Sequence, residues 1–203
     1  PDNRLAVFAA RAAPLQASWL DYFCTTGLGE IDYLITDDYL APAGCDAHYS
    51  ETLLRLTPGR LCYTPPPAPA PSTEGVEARR LVCLNRFSKI NDEVAAAWSA
   101  ALLRLPGWSL RLKGTGGDDA GVANALRRRF EAHGVDPERL DISGEGPYAE
   151  AIDAYRDTAV ALDPFPFSGC ATSFDALWMG LPVVTLPLDT MASRQTGSLL
   201  SAI

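Results

Sequence analysis

Residues 160–194, VALDPFPFSGCATSFDALWMGLPVVTLPLDTMASR, narrow what this chain can fold into more than any other stretch. The apolar run 160–162 ends at Asp163 and a Pro/Gly-broken loop, 164–169. Small and hydroxyl residues follow (Cys170, Ala171, Thr172, Ser173), then an amphipathic run to Met179 that Gly180 stops. After Pro182, residues 183–186 read as a second buried strand. This is a strand–loop–helix–strand unit of a parallel sheet. Its loop leaves the carboxyl end of a strand and enters a helix N-terminus, where unpaired N–H groups and the helix dipole favour a phosphate. The same residues also suit an ordinary βαβ turn with Thr172 or Ser173 as N-cap.

The rest of the second half repeats the rhythm. Residues 81–84, 108–113 and 140–143 read as strands; 93–105, 120–133 and 148–156 read as helices, the first capped by Asn91 or Asp92 and the second stopped by Gly134. Alternation with short loops gives an α/β fold, a Rossmann-like doubly wound parallel sheet. The first 63 residues are less regular. They read as a helix before Pro14, strands at 15–20 and 32–36, and a short helix at 50–56 capped by Ser50. Between the halves, TPPPAPAPSTEG is an extended, stiff, exposed linker by composition. The expected organisation is therefore a first unit at 1–63, a linker at 64–76 and a second unit at 77–203.

Composition excludes several classes of function. The 203 residues are 47% hydrophobic and 21% charged, as in a water-exposed globular fold, and the net charge of −8 argues against general nucleic-acid or anionic-membrane binding. No apolar run approaches the roughly 20 residues of a membrane span, and no signal peptide opens the chain. Five scattered cysteines without a CxxC pair suit a reducing cytoplasm better than a disulfide or zinc framework. His48 and His133 are too far apart in sequence for a histidine metal site; His48 reads as a surface or capping residue. The chain reads as a piece of a longer one, since it opens at Pro1 and ends at Ile203 within a helical pattern.

Candidate sites follow from chemistry. NRFSK, 85–89, leaves the first strand of the second unit and so shares a sheet edge with residues 169–172. Lys89 there is a point charge suited to a diphosphate, or else a solvated surface lysine; only one other lysine, Lys113, occurs in the chain. No GxxxxGK[ST] loop is present, and GTGGDD at 114–119 lacks the GxGxxG spacing and carries two aspartates, so it reads as a flexible loop. Asp175 sits one turn into the helix after Thr172, placed either to accept ribose hydroxyls or to complement the helix dipole. Leu177 and Trp178 read as core. Cys170 is small enough for close backbone approach and has no neighbouring His or Asn to make it a nucleophile.

Four blocks in order, APLQASWLDYFCTTG, IDYLITDDYLAP with HYSE, LNRFSKIN and LDPFPFSGCATSFDALWMGLPVVTLPLDTMASR, resemble the catalytic region of the O-GlcNAc transferase and SPINDLY family of protein glycosyltransferases. The resemblance runs from about residue 4 to the end. It implies a GT-B architecture of two Rossmann-like lobes, with residues 1–63 the end of the first and 77–203 most of the second. By motif match, Lys89 resembles the family lysine on the donor diphosphate and Arg86 falls where the family has Gln or Asn at the nucleotide. Cys170, Ala171 and Thr172 fall on the HTT or TTT segment that holds the phosphates. Asp175 matches the acid that binds the ribose, and Thr25 a threonine of the first-lobe loop facing the sugar. The chain departs from the family in having CAT for HTT, YFCT for YPGT, and Ala151 or a neighbour where a nucleotide-stacking histidine is frequent. The family's proposed catalytic histidine and its TPR repeats lie outside these residues.

The resemblance implies an inverting transfer of N-acetylglucosamine from UDP-GlcNAc to Ser or Thr of intracellular proteins, with no cofactor and no metal. The expected partners are a nucleotide-sugar donor and protein acceptors, without nucleic acid or membrane, in the cytoplasm (nucleocytoplasmic in a eukaryote). Two alternatives stand beside it: a SPINDLY-like O-fucosyltransferase using GDP-fucose, and a non-catalytic nucleotide-binding or scaffold domain. These residues alone are expected to be inactive, because a GT-B reaction is completed between two lobes.

Overall fold

The strands are short, two to five residues each, and end at polar residues or turns. The computed structural model describes residues 4–20, 23–65 and 78–203. The linker, apart from Thr64 and Pro65, lies outside the described residues. Contacts divide the chain into two units, 1–63 with 187–203, and 64–186.

The first unit holds a short helix, α1 (Leu5–Ala9), and three parallel strands in spatial order β1 (Ala17–Ser18), β2 (Tyr33–Thr36), β3 (Thr52–Arg55). The helix expected at 50–56 is corrected by β3, which pairs with β2 from Tyr33↔Thr52 to Thr36↔Arg55. The reason lies in the period: Leu53 is buried and Leu54 exposed, an alternation of two. Leu34, Leu40, Ala41 and Leu53 form the core beside β2. His48 is exposed, in a 3-10 turn, as expected.

The second unit is a five-stranded sheet, all parallel. Along the chain run β4 (Arg80–Cys83), α2 (Asp92–Leu103), β5 (Ser109–Lys113), α3 (Ala120–Glu131), β6 (Leu140–Ser143), α4 (Tyr148–Asp153), β7 (Val160–Leu162), α5 (Ala171–Trp178) and β8 (Val183–Val184). Their spatial order is β6-β5-β4-β7-β8. Asn91 caps α2, its Oδ1 accepting from the Val94 N–H at 2.9 Å, and Gly134 follows α3 with a φ of +84°. The GTGGDD loop is tied down rather than loose: Asp119 accepts from the N–H groups of Gly121 (2.7 Å) and Val122 (3.1 Å), and Asp118 from that of Gly144 (3.1 Å).

From Leu81 to Cys83, β4 is buried on both faces, which explains the apolar run there. Leu81 and Cys83 face a core with Val94, Leu102, Leu110 and Phe130. Val82 faces a second core with Ile152, Tyr155, Ala176 and Met179. The chain lays β5 and β6 on one side of β4, then β7 and β8 on the other. The strand order therefore reverses between β4 and β7, the place where open α/β sheets have their ligand crevice.

The C-terminal segment departs from the expected boundary of 77–203. Residues 187–203, including α6 (Gln195–Ser201), pack with the first unit. Gln195 Oε1 accepts from Arg60 Nη2 at 2.7 Å, and the Ser198 hydroxyl donates to Asp37 Oδ2 at 2.8 Å. These polar groups of α6 are buried, so they require the partners that Arg60 and Asp37 supply. Among the described residues no helix is long and apolar enough to cross a membrane.

Candidate functional site

The loops after β4 and β7 leave neighbouring strands at the reversal point, and their side chains meet. Asn85 lies two residues beyond β4, and a 3-10 turn at Phe87–Lys89 brings Lys89 back toward it. Lys89 Nζ donates to Asn85 Oδ1 at 3.1 Å and to the Ser168 carbonyl at 2.9 Å. The ammonium also lies 4.5 Å from the centre of the Phe167 ring, a cation–π distance. Lys89 is thus half-buried and held, not the solvated surface lysine that sequence alone left open. Burial lowers its pKa below the ordinary lysine value, and the Asp163 carboxylate acts in the opposite sense. The Cys83 thiol beneath is pushed up to about 12 by burial and so is neutral.

The second half of the site is the start of α5. Its N-cap is Cys170, without a side-chain cap hydrogen bond, and not Thr172 or Ser173. The first N–H groups to bond back are those of Ser173 and Phe174, both to the Cys170 carbonyl at 3.1 Å. The N–H groups of Ala171 and Thr172 precede them at the positive end of the helix dipole. Thr172 Oγ1 is buried and has no hydrogen-bond partner among the described residues. It lines a cavity of about 10 Å³ that Asn85, Asp163 and Ser173 share, room for one water-sized group. Gly169 admits no side chain: a Cβ would lie 2.8 Å from Ser173 Oγ and Thr172 Oγ1 and 2.9 Å from Asp163 Oδ1.

Asp175 is buried one turn further on and accepts from the Tyr148 hydroxyl at 2.6 Å. Tyr155 Oη donates to the Thr172 carbonyl at 2.9 Å and so ties α5 to the segment after α4. Of the residues singled out from sequence, Lys89, Cys170, Ala171, Thr172 and Asp175 belong to this one edge of the second unit. Arg86 stands exposed at the head of the 3-10 turn. Thr25 belongs to the first unit, where its hydroxyl donates to Glu51 Oε2 at 2.8 Å. Leu177 is half-buried and Trp178 is exposed, against the expectation that both are core. Ala151 lies on α4, and one turn before it Tyr148 is the aromatic residue that reaches Asp175.

Sequence reading missed Asn85, Asp163, Ser168 and Tyr148. A signal existed for two of them. Asn85 is four residues before Lys89, and Asp163 is an acid placed directly at the end of an apolar strand. Nothing local marked Ser168, whose contribution is a backbone carbonyl, or Tyr148, which acts across the fold. Among the described residues no group of three or more His, Cys, Asp or Glu side chains is placed to hold a metal ion.

A family model, Glycosyl transferase family 41, matches residues 2–59 and 77–203. A probable UDP-N-acetylglucosamine–peptide N-acetylglucosaminyltransferase SPINDLY of Petunia hybrida is 34% identical over all of this chain and 22% of its own length. The corresponding SEC protein of Arabidopsis thaliana is 31% identical over 98% of this chain and 21% of its own. A solved structure of a mutant O-GlcNAc transferase from Thermobaculum terrenum superposes with a TM-score of 0.93 at 43% identity, over 98% of this chain and 38% of that one. The chain thus spans about a fifth of the length of the plant relatives and matches the GT-B-like α/β class expected from its sequence. With the family model covering both units and the parallel sheets in place, the chain belongs to glycosyl transferase family 41.

Proposed function

We propose that the protein to which this chain belongs is a glycosyltransferase that moves N-acetylglucosamine from UDP-GlcNAc to Ser or Thr hydroxyls of protein acceptors, with inversion. The observation that carries the reading is the meeting of Lys89 with the loop that leads into the α5 N-terminus, at the strand-order reversal. The names of the relatives supply the donor and the acceptor class.

In this reading the acceptor oxygen bonds to the sugar's anomeric carbon as the bond from that carbon to the diphosphate oxygen breaks. UDP leaves with the electron pair, and the acceptor proton passes to a base outside residues 1–203. Charge builds on the leaving diphosphate. The Lys89 ammonium, the N–H groups of Ala171 and Thr172, and Thr172 Oγ1 neutralise it without a metal. Only backbone groups are needed at positions 170 and 171, so CAT in place of HTT leaves this role intact. Asp175 holds the ribose and Arg86 lies beside the nucleotide. Five cysteines, none of them in a disulfide, suit action in a reducing cytoplasm.

The test is calorimetric titration of UDP, GDP and their sugars against the full-length protein, with a radiolabelled UDP-GlcNAc transfer assay. Binding of UDP and UDP-GlcNAc with label transfer is expected. Preference for GDP-fucose would replace the donor, and donor binding without transfer would leave a nucleotide-binding scaffold.

A further inference from the structure

Asp163 ends β7 almost wholly buried, at 4% exposure. A buried carboxylate is costly unless its oxygens are satisfied, and this one is held from two directions. Oδ1 accepts from the Gly169 N–H at 2.5 Å, and Oδ2 accepts from the Thr185 hydroxyl at 2.7 Å. The first bond closes the loop after β7 into a turn whose next residue is Cys170, the N-cap of α5. The second fixes the carboxylate against the residue following β8. Gly169 lies so close to Asp163, Thr172 and Ser173 that a Cβ has no room.

The same carboxylate lies one peptide unit from Lys89: the Ser168 carbonyl accepts from Lys89 Nζ at 2.9 Å, the N–H at the other end of that peptide bond, that of Gly169, donates to Asp163 Oδ1, and Asn85, the other acceptor of Lys89, lines the same small cavity as Asp163. The charged and titratable groups that face Lys89 are Asp163, Cys83, Arg86 and Cys170. Cys83 is neutral, Arg86 is a like charge, and Asp163 is the one carboxylate in the set. The direct hydrogen-bond acceptors, Asn85 Oδ1 and the Ser168 carbonyl, carry no net charge. Burial among neutral acceptors lowers the pKa of an ammonium, and a nearby carboxylate opposes that shift.

We propose that Asp163 is the positioning residue of this site, fastening the turn that aims the α5 N-terminus and serving, across the Ser168–Gly169 peptide, as the counter-charge of the Lys89 ammonium. Both halves of an anion-binding edge then depend on one carboxylate that need not touch the ligand. The consequence for donor binding rests on the reading under Proposed function; the pairing with Lys89 does not.

The experiment uses the full-length protein and Asp163→Asn, Asp163→Glu and Thr185→Val variants, each checked for a cooperative melt. The Lys89 amine is titrated by pH-dependent competitive acetylation and peptide mass spectrometry, with Lys113 as reference. In Asp163→Asn the Lys89 midpoint should fall by on the order of one pH unit, with Lys113 unmoved. In Thr185→Val and Asp163→Glu the Lys89 midpoint should stay near that of the parent. Calorimetric UDP affinity should drop about tenfold at neutral pH in Asp163→Asn, with its alkaline limb displaced to lower pH. An unshifted Lys89 in folded Asp163→Asn overturns the proposal. Should that variant not fold, a lowered Lys89 midpoint in Asp163→Glu, which keeps the charge, overturns it instead. A parent protein that binds no UDP while the Lys89 shift holds would remove the donor reading and leave the pairing standing.

Discussion

Lys89 Nζ lies 2.9 Å from the carbonyl oxygen of Ser168, so one ammonium joins the loop after β4 to the loop after β7. Those loops are 79 residues apart in sequence and adjacent only because the strand order reverses between β4 and β7. The contact leaves Lys89, a donor of three hydrogen bonds, already oriented when an anion arrives. Its entropy is largely lost on folding, not on binding.

Lys89→Ala in the full-length protein should lower kcat/KM for UDP-GlcNAc by about a hundredfold or more, as for other removed charge stabilisers. Stability should fall by only about 1–3 kcal/mol, for the lost bonds to Asn85 and Ser168. Steady-state kinetics beside a urea melt separate the two. Unchanged kinetics would return Lys89 to a structural role.

Gly169→Ala should destabilise the second unit. The added methyl meets Thr172 Oγ1 and Ser173 Oγ at 2.8 Å, and relieving such overpacking costs about 1–3 kcal/mol. The displaced α5 start should weaken UDP binding in the same variant. Denaturant midpoints and calorimetry measure both; a variant with parental values in each would show that the turn yields easily.

Glu51 should make the first unit sensitive to acid. Burial raises its pKa, but the donors outweigh it: the Thr26 hydroxyl, the Thr26 N–H at 2.6 Å and the Thr25 hydroxyl at 2.8 Å. The net effect holds its pKa below the usual 4.5. A carboxylate with a depressed folded-state pKa contributes stability that is present above the unfolded value and lost as pH falls through the folded one. Melting temperature should therefore drop below about pH 4.5, and Glu51→Gln should be less stable at pH 7 yet flatter in that window. An unchanged pH slope in Glu51→Gln would assign the acid sensitivity elsewhere.

Asp37→Ala should be among the most destabilising changes in the first unit. Its buried carboxylate accepts from Leu40 N–H at 2.8 Å, Tyr39 N–H at 3.1 Å, Arg60 N–H at 3.3 Å and the Ser198 hydroxyl at 2.8 Å. Losing this acceptor leaves several buried donors unmatched, at about 1–3 kcal/mol for a single one. Hydrogen exchange should show α6 loosening with β2 in this variant; protection of α6 unchanged would mean that it docks on its apolar face alone.

The sequence by itself determined what depends on local pattern. The alternation of apolar runs with 3.6-period segments placed β5, β6, α3 and α5 within a few residues, because their hydrophobic period and caps lie within the segment. A Pro/Gly loop before Cys170 and a lysine after β4 marked the candidate anion site for the same reason. Only the tertiary structure decided the rest. It made 52–55 a strand, because β2 offered a parallel partner that no local signal reveals. It returned 187–203 to the first unit, because Gln195 and Ser198 find their buried partners in Arg60 and Asp37, more than 130 residues away. It also brought Asp163, Asn85 and the Ser168 carbonyl around Lys89. Hydrogen bonds and charge pairing act through space, and a residue's partners across a sheet are set by strand order, which periodicity does not encode.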